Sequence, residues 1–272
     1  MSAWRFVIDV AQCEDCNNCL LACKDEHVGN DWPGVTGPQA KHGPPWIDIA
    51  RKERGQFPLI DVAYRPTPCQ HCAAAPCVDA SGGAIVKRGD GIVLIDPAKA
   101  KGRKDLVASC PYGAIGWNAE EGAPQKCTFC AHLLDRGWKE TRCAQACPTG
   151  ALRVERVTPG PPPDGAAALH PEHGTRPRAV YLNLYRFDTC FIAGSVAVRK
   201  DGVVDCAAGV TVTLRRGSIE VARAATDVFG DFKFDGLAPG SGPYTVDVAA
   251  NGSGRVLSVT PQESVSLGVI EL

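Results

Sequence analysis

Twelve of the fourteen cysteines precede residue 150, and their spacing is the first chemical signal in the chain. Cys13, Cys16, Cys19 and Cys23 are separated by two, two and three residues. Cys69, Cys72 and Cys77 form a second group, Cys110 stands alone, and Cys127, Cys130, Cys143 and Cys147 form a fourth. Thiolates are soft ligands that select zinc or iron–sulfur chemistry. Zinc binds two short ligand pairs around one tetrahedral ion, and the fourth group alone could pass for that. Four ligands crowded into residues 13–23 fit a zinc ion poorly. A compact triplet suits an iron–sulfur cubane, because one tight loop caps three irons while the fourth thiolate arrives from elsewhere in the chain.

The lone cysteine decides how the groups pair. Cys110-Pro111-Tyr112-Gly113-Ala114-Ile115 is close to Cys147-Pro148-Thr149-Gly150-Ala151-Leu152. In the bacterial ferredoxin run C-x2-C-x2-C-x3-C-P, the fourth cysteine ligates the other cluster of a pair. In the first group Lys24 replaces that proline. Pairing groups one and four in this crossed way yields Cys13, Cys16, Cys19 with Cys147, and Cys127, Cys130, Cys143 with Cys23. Pairing groups two and three yields Cys69, Cys72, Cys77 with Cys110. A fourth set would need cysteines at Ala100, Arg103 and Leu106, and at Ser81 or Ala80, and has none. Losing one cluster removes three ligands from one motif and one from its partner, so Cys110 persists because it serves a different cluster. The expectation is three 4Fe–4S clusters on twelve cysteines.

The elements that must position these ligands are short. "RFVIDV" and "GIVLID" read as strands, "LLACKDEHV" and "CTFCAHLLDRG" as short helices carrying cysteines. His27, His71 and His132 stand near cysteines and could tune cluster hydrogen bonding, with ordinary packing the plainer role. Tyr112 and Trp117 read as core residues. Residues 24–68 form a long irregular insertion, a length that points to a partner-facing surface. No nucleophile–base pair, phosphate loop or paired-carboxylate motif stands out, so no catalytic residue is assigned.

Residues 158–178, "TPGPPPDGAAALHPEHGTRPR", are dense in Pro and Gly and read as an extended linker. Beyond it, seven short alternating runs from "FIAGSVAV" to "VSLGVIEL" predict an independent antiparallel β-sandwich. The stretch "TDVFGDFKFDGLAPGSGPYTVDV" resembles transthyretin-like sandwiches. The expected organisation is a multi-cluster domain over 1–157, a linker over 158–189 and a sandwich over 190–272. Cys190 and Cys206 lie there without ligand spacing and read as plain thiols.

A chain of 272 residues has room for two such cores. Its net charge of −1 gives no electrostatic reason for a nucleic-acid partner. No run approaches the roughly 18 apolar residues of a membrane span, and the N-terminus lacks a signal-peptide layout. A cysteine-rich chain of this length without an export signal reads as cytoplasmic and metal-binding.

"VIDVAQCEDCNNCLLACKDEH", "YRPTPCQHCAAAPCV", "DGIVLIDPAKAKGRKDL", "CPYGAIGWN" and "QKCTFCAHLLD" together resemble the four-motif iron–sulfur subunits of the dimethyl-sulfoxide-reductase superfamily. The missing group-three ligands and the added sandwich narrow the resemblance to the pyrogallol–phloroglucinol transhydroxylase and resorcinol hydroxylase group. It covers nearly the whole chain, including "RPRAVYLNLYRF". What it implies is an α+β fold, a duplicated bacterial-ferredoxin-like domain followed by a small all-β transthyretin-like sandwich. It further implies an electron-transfer subunit whose large partner bears molybdenum with bis-molybdopterin guanine dinucleotide and acts on polyhydroxylated aromatics, with an external electron carrier and a higher oligomer of heterodimers as further possibilities. Two rivals differ in class. One is a respiratory subunit feeding a quinone-linked anchor, which calls for a fourth cluster and no sandwich. The other is a structural module whose clusters only hold the fold.

Overall fold

The computed structural model describes residues 2–158, 162–200, 202–250 and 252–272. Contacts divide the chain into two units, Met1–Ala50 with Tyr64–Leu184 and Arg51–Ala63 with Tyr185–Leu272.

In chain order the first unit opens with β1 (Ala3–Asp9) and α1 (Asn18–His27), followed by the hairpin strands β2 (Ile47–Gln56) and β3 (Leu59–Pro68). The hairpin is shared, since 51–63 belong to the second unit. Next come α2 (Pro76–Asp79), β4 (Ile85–Lys87), β5 (Val93–Ile95) and a 3-10 turn at Lys104–Ser109. The unit continues with β6 (Gly116–Asn118), β7 (Ala123–Gln125), α3 (Ala131–Leu134), α4 (Arg142–Gln145), β8 (Leu152–Val157) and β9 (Ala179–Leu182).

β1 is the central strand of a three-stranded sheet, antiparallel to β8 and parallel to β9. Phe6, Val7 and Ile8 are consecutive and all buried, as expected of a strand covered on both faces. Two sequence expectations change here. The stretch 158–189 is not linker throughout: β9 pairs with β1, and the first unit runs to Leu184. A short apolar run, "AVYL", sits behind the Pro/Gly-rich composition and finds its partner only in three dimensions. Pro159, Gly160 and Pro161 of that stretch lie outside the described residues. The 24–68 insertion is likewise irregular only over 28–46, because α1 extends to His27 and two ten-residue strands occupy its second half.

The second unit adds α5 (Tyr185–Asp188) and eight strands: β10 (Cys190–Lys200), β11 (Val203–Cys206), β12 (Thr211–Arg216), β13 (Ile219–Ala225), β14 (Asp231–Leu237), β15 (Tyr244–Ala250), β16 (Ser253–Val259) and β17 (Val265–Glu271). One sheet runs β11-β10-β14 with β17 also on β10; the other runs β13-β12-β15-β16. Inward residues of both sheets, among them Ile192, Leu214, Phe232, Phe234, Val246 and Val248, share one buried core. The pairing is not wholly antiparallel, since β17 lies parallel to β10. Cys190 is buried in this core with its Sγ donating to the Leu237 carbonyl at 3.2 Å, and Cys206 is exposed.

Candidate metal centres

Two helices do most of the positioning. α1 buries Cys19, Cys23 and His27, a spacing of four that lines one helical face. Cys143 and Cys147 have the same spacing through α4 and its C-terminal end, and α1 packs on α4. Thr141 caps α4 by accepting the Ala144 N–H at 3.4 Å, and its hydroxyl also lies 3.2 Å from Cys143 Sγ. Each helix therefore presents one thiol to each of two neighbouring sites.

The sulfurs fall into three quartets by mutual electrostatic influence. Cys16 and Cys147 act on Cys13, and all three act on Cys19. Cys23 faces Cys127, Cys130 and Cys143, which also act on one another. Cys69, Cys72, Cys77 and Cys110 form the third set, with every pair in range. Each quartet draws one member from a distant segment: Cys147, Cys23 and Cys110. Between quartets, Cys69 reaches Cys127 and Cys19 reaches Cys143. The quartet with Cys23 is thus the middle of a series of three.

Burial grades along that series. All four thiols of the middle quartet are buried, whereas Cys13, Cys147 and Cys110 are half-buried and Cys16 is exposed. Burial, reinforced by neighbouring thiols, pushes Cys127, Cys130 and Cys143 up to about 12, and Cys19, Cys72 and Cys77 up to about 11. Thiols in such surroundings become thiolates only with a cation to hold them.

The loops that carry the triplets turn through left-handed residues: Asp15 and Asn17, His71, then Phe129 and Cys130. In one of these loops, and in the turns after Cys110 and Cys147, backbone N–H groups reach sulfur. Phe129 donates to Cys127 Sγ, Ala114 to Cys110 Sγ and Leu152 to Cys147 Sγ, each at 3.4 Å. Such donors favour the charged sulfur.

The quartets are wider than a single-ion site. Four thiolates on one zinc ion stand about 3.8 Å apart, given Zn–S bonds of about 2.3 Å in a tetrahedron. Among the described residues, only His170, Glu172 and His173 bring three His, Cys, Asp or Glu ligand atoms all within 4.8 Å of one another. A cubane bonds each thiolate to a different iron and spreads them, so the donor set fits an iron–sulfur cluster. The charge balance fits as well: Lys126 is a buried cation among the sulfurs, 4% exposed.

The positions of the missing fourth set are filled by other means. Ala100 and Leu106 are fully buried and join Ile85, Ile95 and Ile115 in one apolar cluster. Ser81, also fully buried, donates to the Val78 carbonyl at 2.8 Å and accepts the Ile85 N–H at 3.0 Å. Arg103 pairs with Asp105 at 2.8 Å and donates to the Ser81 carbonyl at 3.2 Å. Hydrophobic packing holds together what a cluster would otherwise bridge.

The histidines have structural partners. His27 contacts the Cys23 carbonyl at 2.9 Å through Nδ1, and burial pulls its pKa down to about 4. His132 contacts Glu26 at 2.9 Å and stacks on Trp32 at 4.1 Å between ring centroids. His71 accepts the Val93 N–H at Nδ1 (3.0 Å), while its buried Nε2 has no hydrogen-bond partner among the described residues. Tyr112 bonds Thr175 Oγ1 at 2.5 Å beside the third quartet.

The family described as "4Fe-4S dicluster domain" matches residues 60–157. Over its full length the chain is 46% identical to the pyrogallol hydroxytransferase small subunit of Pelobacter acidigallici, covering all of both chains. It belongs to that family. More distant relatives include the thiosulfate reductase electron transfer subunit of Salmonella typhi, at 32% identity over 55% of this chain and 73% of that one. The arsenate respiratory reductase iron–sulfur subunit of Shewanella sp. strain ANA-3 is 29% identical over 68% and 98%. Among solved structures, Klebsiella pneumoniae 5-hydroxyisourate hydrolase aligns with 30% of this chain and 90% of its own at 17% identity and TM-score 0.25, a level that carries no fold assignment. As a member of the pyrogallol hydroxytransferase small-subunit family, the chain is an iron–sulfur, electron-transferring component of a larger enzyme. No described helix is long and apolar enough to cross a membrane.

Proposed function

We propose that this chain carries three 4Fe–4S clusters and serves a large molybdenum subunit that hydroxylates or transhydroxylates polyhydroxylated aromatics of the pyrogallol or resorcinol type. The ligand sets are Cys13, Cys16, Cys19 with Cys147; Cys23, Cys127, Cys130 with Cys143; and Cys69, Cys72, Cys77 with Cys110. The observation that carries the reading is the crossing itself. Three quartets each borrow one thiol from a distant segment, the pattern a duplicated ferredoxin produces. Full-length similarity to the Pelobacter acidigallici subunit supports the substrate class.

Bound clusters supply one-electron redox steps. The chain's own residues determine where those steps are accessible. Burial of Cys23, Cys127, Cys130 and Cys143 keeps water from the middle site, and exposed Cys16 leaves the first site at the surface. The Cys69–Cys127 and Cys19–Cys143 proximities set the three sites in series. Catalysis belongs to the partner, on molybdenum with bis-molybdopterin guanine dinucleotide. A hydroxylase must export two electrons through the series, whereas a transhydroxylase has no net redox change and uses it to poise the centre. Twelve reduced thiols call for a reducing compartment, so the cytoplasm is the proposed location. The second unit, with no ligand spacing of its own, enlarges the surface for docking the partner or another copy of the complex.

Iron and sulfide analysis of the anaerobically purified complex should find about twelve of each per chain, four per cubane. Turnover on pyrogallol or resorcinol should follow. About sixteen irons, or stoichiometric zinc, overturns the ligand assignment.

A further inference from the structure

Lys126 immediately precedes Cys127, and its side chain is withdrawn from water at 4% exposure. Its ammonium donates to the Val93 carbonyl and, at 3.0 Å, to the Cys127 carbonyl. Among the described residues no carboxylate lies within ion-pair distance of it. A buried ammonium loses several kcal/mol of hydration, and two neutral carbonyls do not return the opposing charge. Anions must therefore stand nearby, and the sulfurs supply them. Lys126 acts on Cys77 and Cys110 of the third quartet and on Cys127 of the second. Burial dominates at Cys13 and Cys19 of the first quartet, and the charges they feel come from its own thiols and, at Cys13, from Asp15.

We infer that Lys126 is a shared buried counter-ion for the clusters of the second and third quartets, and that its fixed charge raises their reduction potentials relative to the first. The inference rests on the cluster reading above and extends it to a residue that is not a ligand. The step concerned is the gain of one electron by a cluster, with no proton taken up and no bond broken. That electron adds one negative charge to a site already negative, so a cation in a dry setting favours the reduced form. Lys126 is a positioning residue: it moves no group and touches no substrate. Its placement favours electrons resting on the second and third sites over the first.

The test uses the full chain with its catalytic subunit, purified without oxygen, and a dithionite titration followed by EPR. Lys126→Met removes the charge and keeps the length, whereas Lys126→Arg keeps the charge. With twelve irons retained, Lys126→Met should lower two of three midpoints by at least a tenfold change in electron partition, about 59 mV for a one-electron couple. Lys126→Arg should leave all three close to the natural protein. Unchanged midpoints in Lys126→Met, or an equal shift of all three, overturn the inference. If Lys126→Met loses iron, the iron content of Lys126→Gln and Lys126→Arg decides. Retention by Arg alone supports a charge role, and loss in all three, or retention by Gln, overturns it. Zinc or an absence of iron in the natural protein instead defeats the cluster reading, whatever Lys126 does.

Discussion

Cys110 and Cys147 occupy the same turn in two places. Each is followed by proline, each sulfur accepts a backbone N–H at 3.4 Å, from Ala114 and Leu152 respectively, and each turn closes through a left-handed glycine, Gly113 or Gly150. In both, that glycine's N–H returns to the cysteine carbonyl, at 3.1 and 3.4 Å. The turn is a device for presenting one thiol outward with an amide aimed at it. Cys147 has a cysteine triplet close by in sequence, and Cys110 has none.

Cys110→Ala should therefore reduce iron from about twelve to about eight per chain, four per cubane. Ser81→Ala should leave iron at about twelve, because Ser81 serves the Val78 carbonyl and the Ile85 N–H. Its loss should instead lower stability by about 1 kcal/mol, the usual net worth of such bonds. Iron loss in Ser81→Ala alone would disprove the assignment of Cys110.

The crossing on α1 and α4 makes a second prediction. Cys23 and Cys147 are the last cysteines of their motifs, yet each faces the other motif's triplet. Cys23→Ala should remove the EPR signal of the buried middle cluster, and Cys147→Ala that of the exposed one. The two variants should differ in which signal survives. If each variant lost the cluster of its own motif, the crossing would be wrong.

The cysteine spacing is the part of the proposed site most readable in the sequence, because thiols a few residues apart stay close whatever the rest of the chain does. β1 and the helical run of α1 were legible from short-range pattern. β9 was not. Four residues, "AVYL", behind a Pro/Gly-rich stretch carry no signal until β1 offers them an edge. The β2–β3 hairpin was hidden differently. β2 alternates buried and exposed residues, but its buried positions include Arg54, which composition marks as surface. Lys126 was missed because a lysine beside a metal-binding loop reads as solvated until its burial is seen.

The apolar packing at positions 100 and 106 yields a third prediction. Leu106 is 1% exposed and packs with Ile85, Ile95 and Ile115 where ligands would otherwise stand. Leu106→Ala should destabilise the first unit by about 2–5 kcal/mol, as for other buried leucines. Denaturant midpoints measured with iron loading held constant would check it. Restoring cysteines at positions 81, 100, 103 and 106 together should not raise iron above about twelve, four for each of three cubanes. Ala100 and Leu106 are packed with Ile85, Ile95 and Ile115 in one apolar cluster, which fills the space a cubane would need.

The last prediction concerns charge in the second unit. Arg54, with its side chain 1% exposed, pairs with Asp235 and lies 3.7 Å from Asp61. Arg186 and Lys233 reach Asp61 at 2.7 and 3.0 Å, and both Arg54 and Lys233 lie over the Phe191 ring. Gly55, at φ +87°, permits this approach, because a Cβ there would come within 2.5 Å of Phe191 Cζ. Removing Asp235 leaves the buried Arg54 only its longer contact with Asp61, so Asp235→Ala should destabilise this unit by about 1–3 kcal/mol. Burial opposes ionisation of Asp61, but its bond to Lys233 and the charges of Lys233, Arg186 and Arg54 outweigh that and hold it below the usual carboxylate range. A depressed folded-state pKa contributes stability that is complete above the unfolded value and is lost as pH falls through the folded one. Thermal midpoints should therefore fall as the medium is acidified below about pH 4, the unfolded aspartate value. Asp61→Asn should be less stable than the natural chain at pH 7 and show a shallower fall. A variant that fell as steeply as the natural chain would assign the acid sensitivity to other carboxylates.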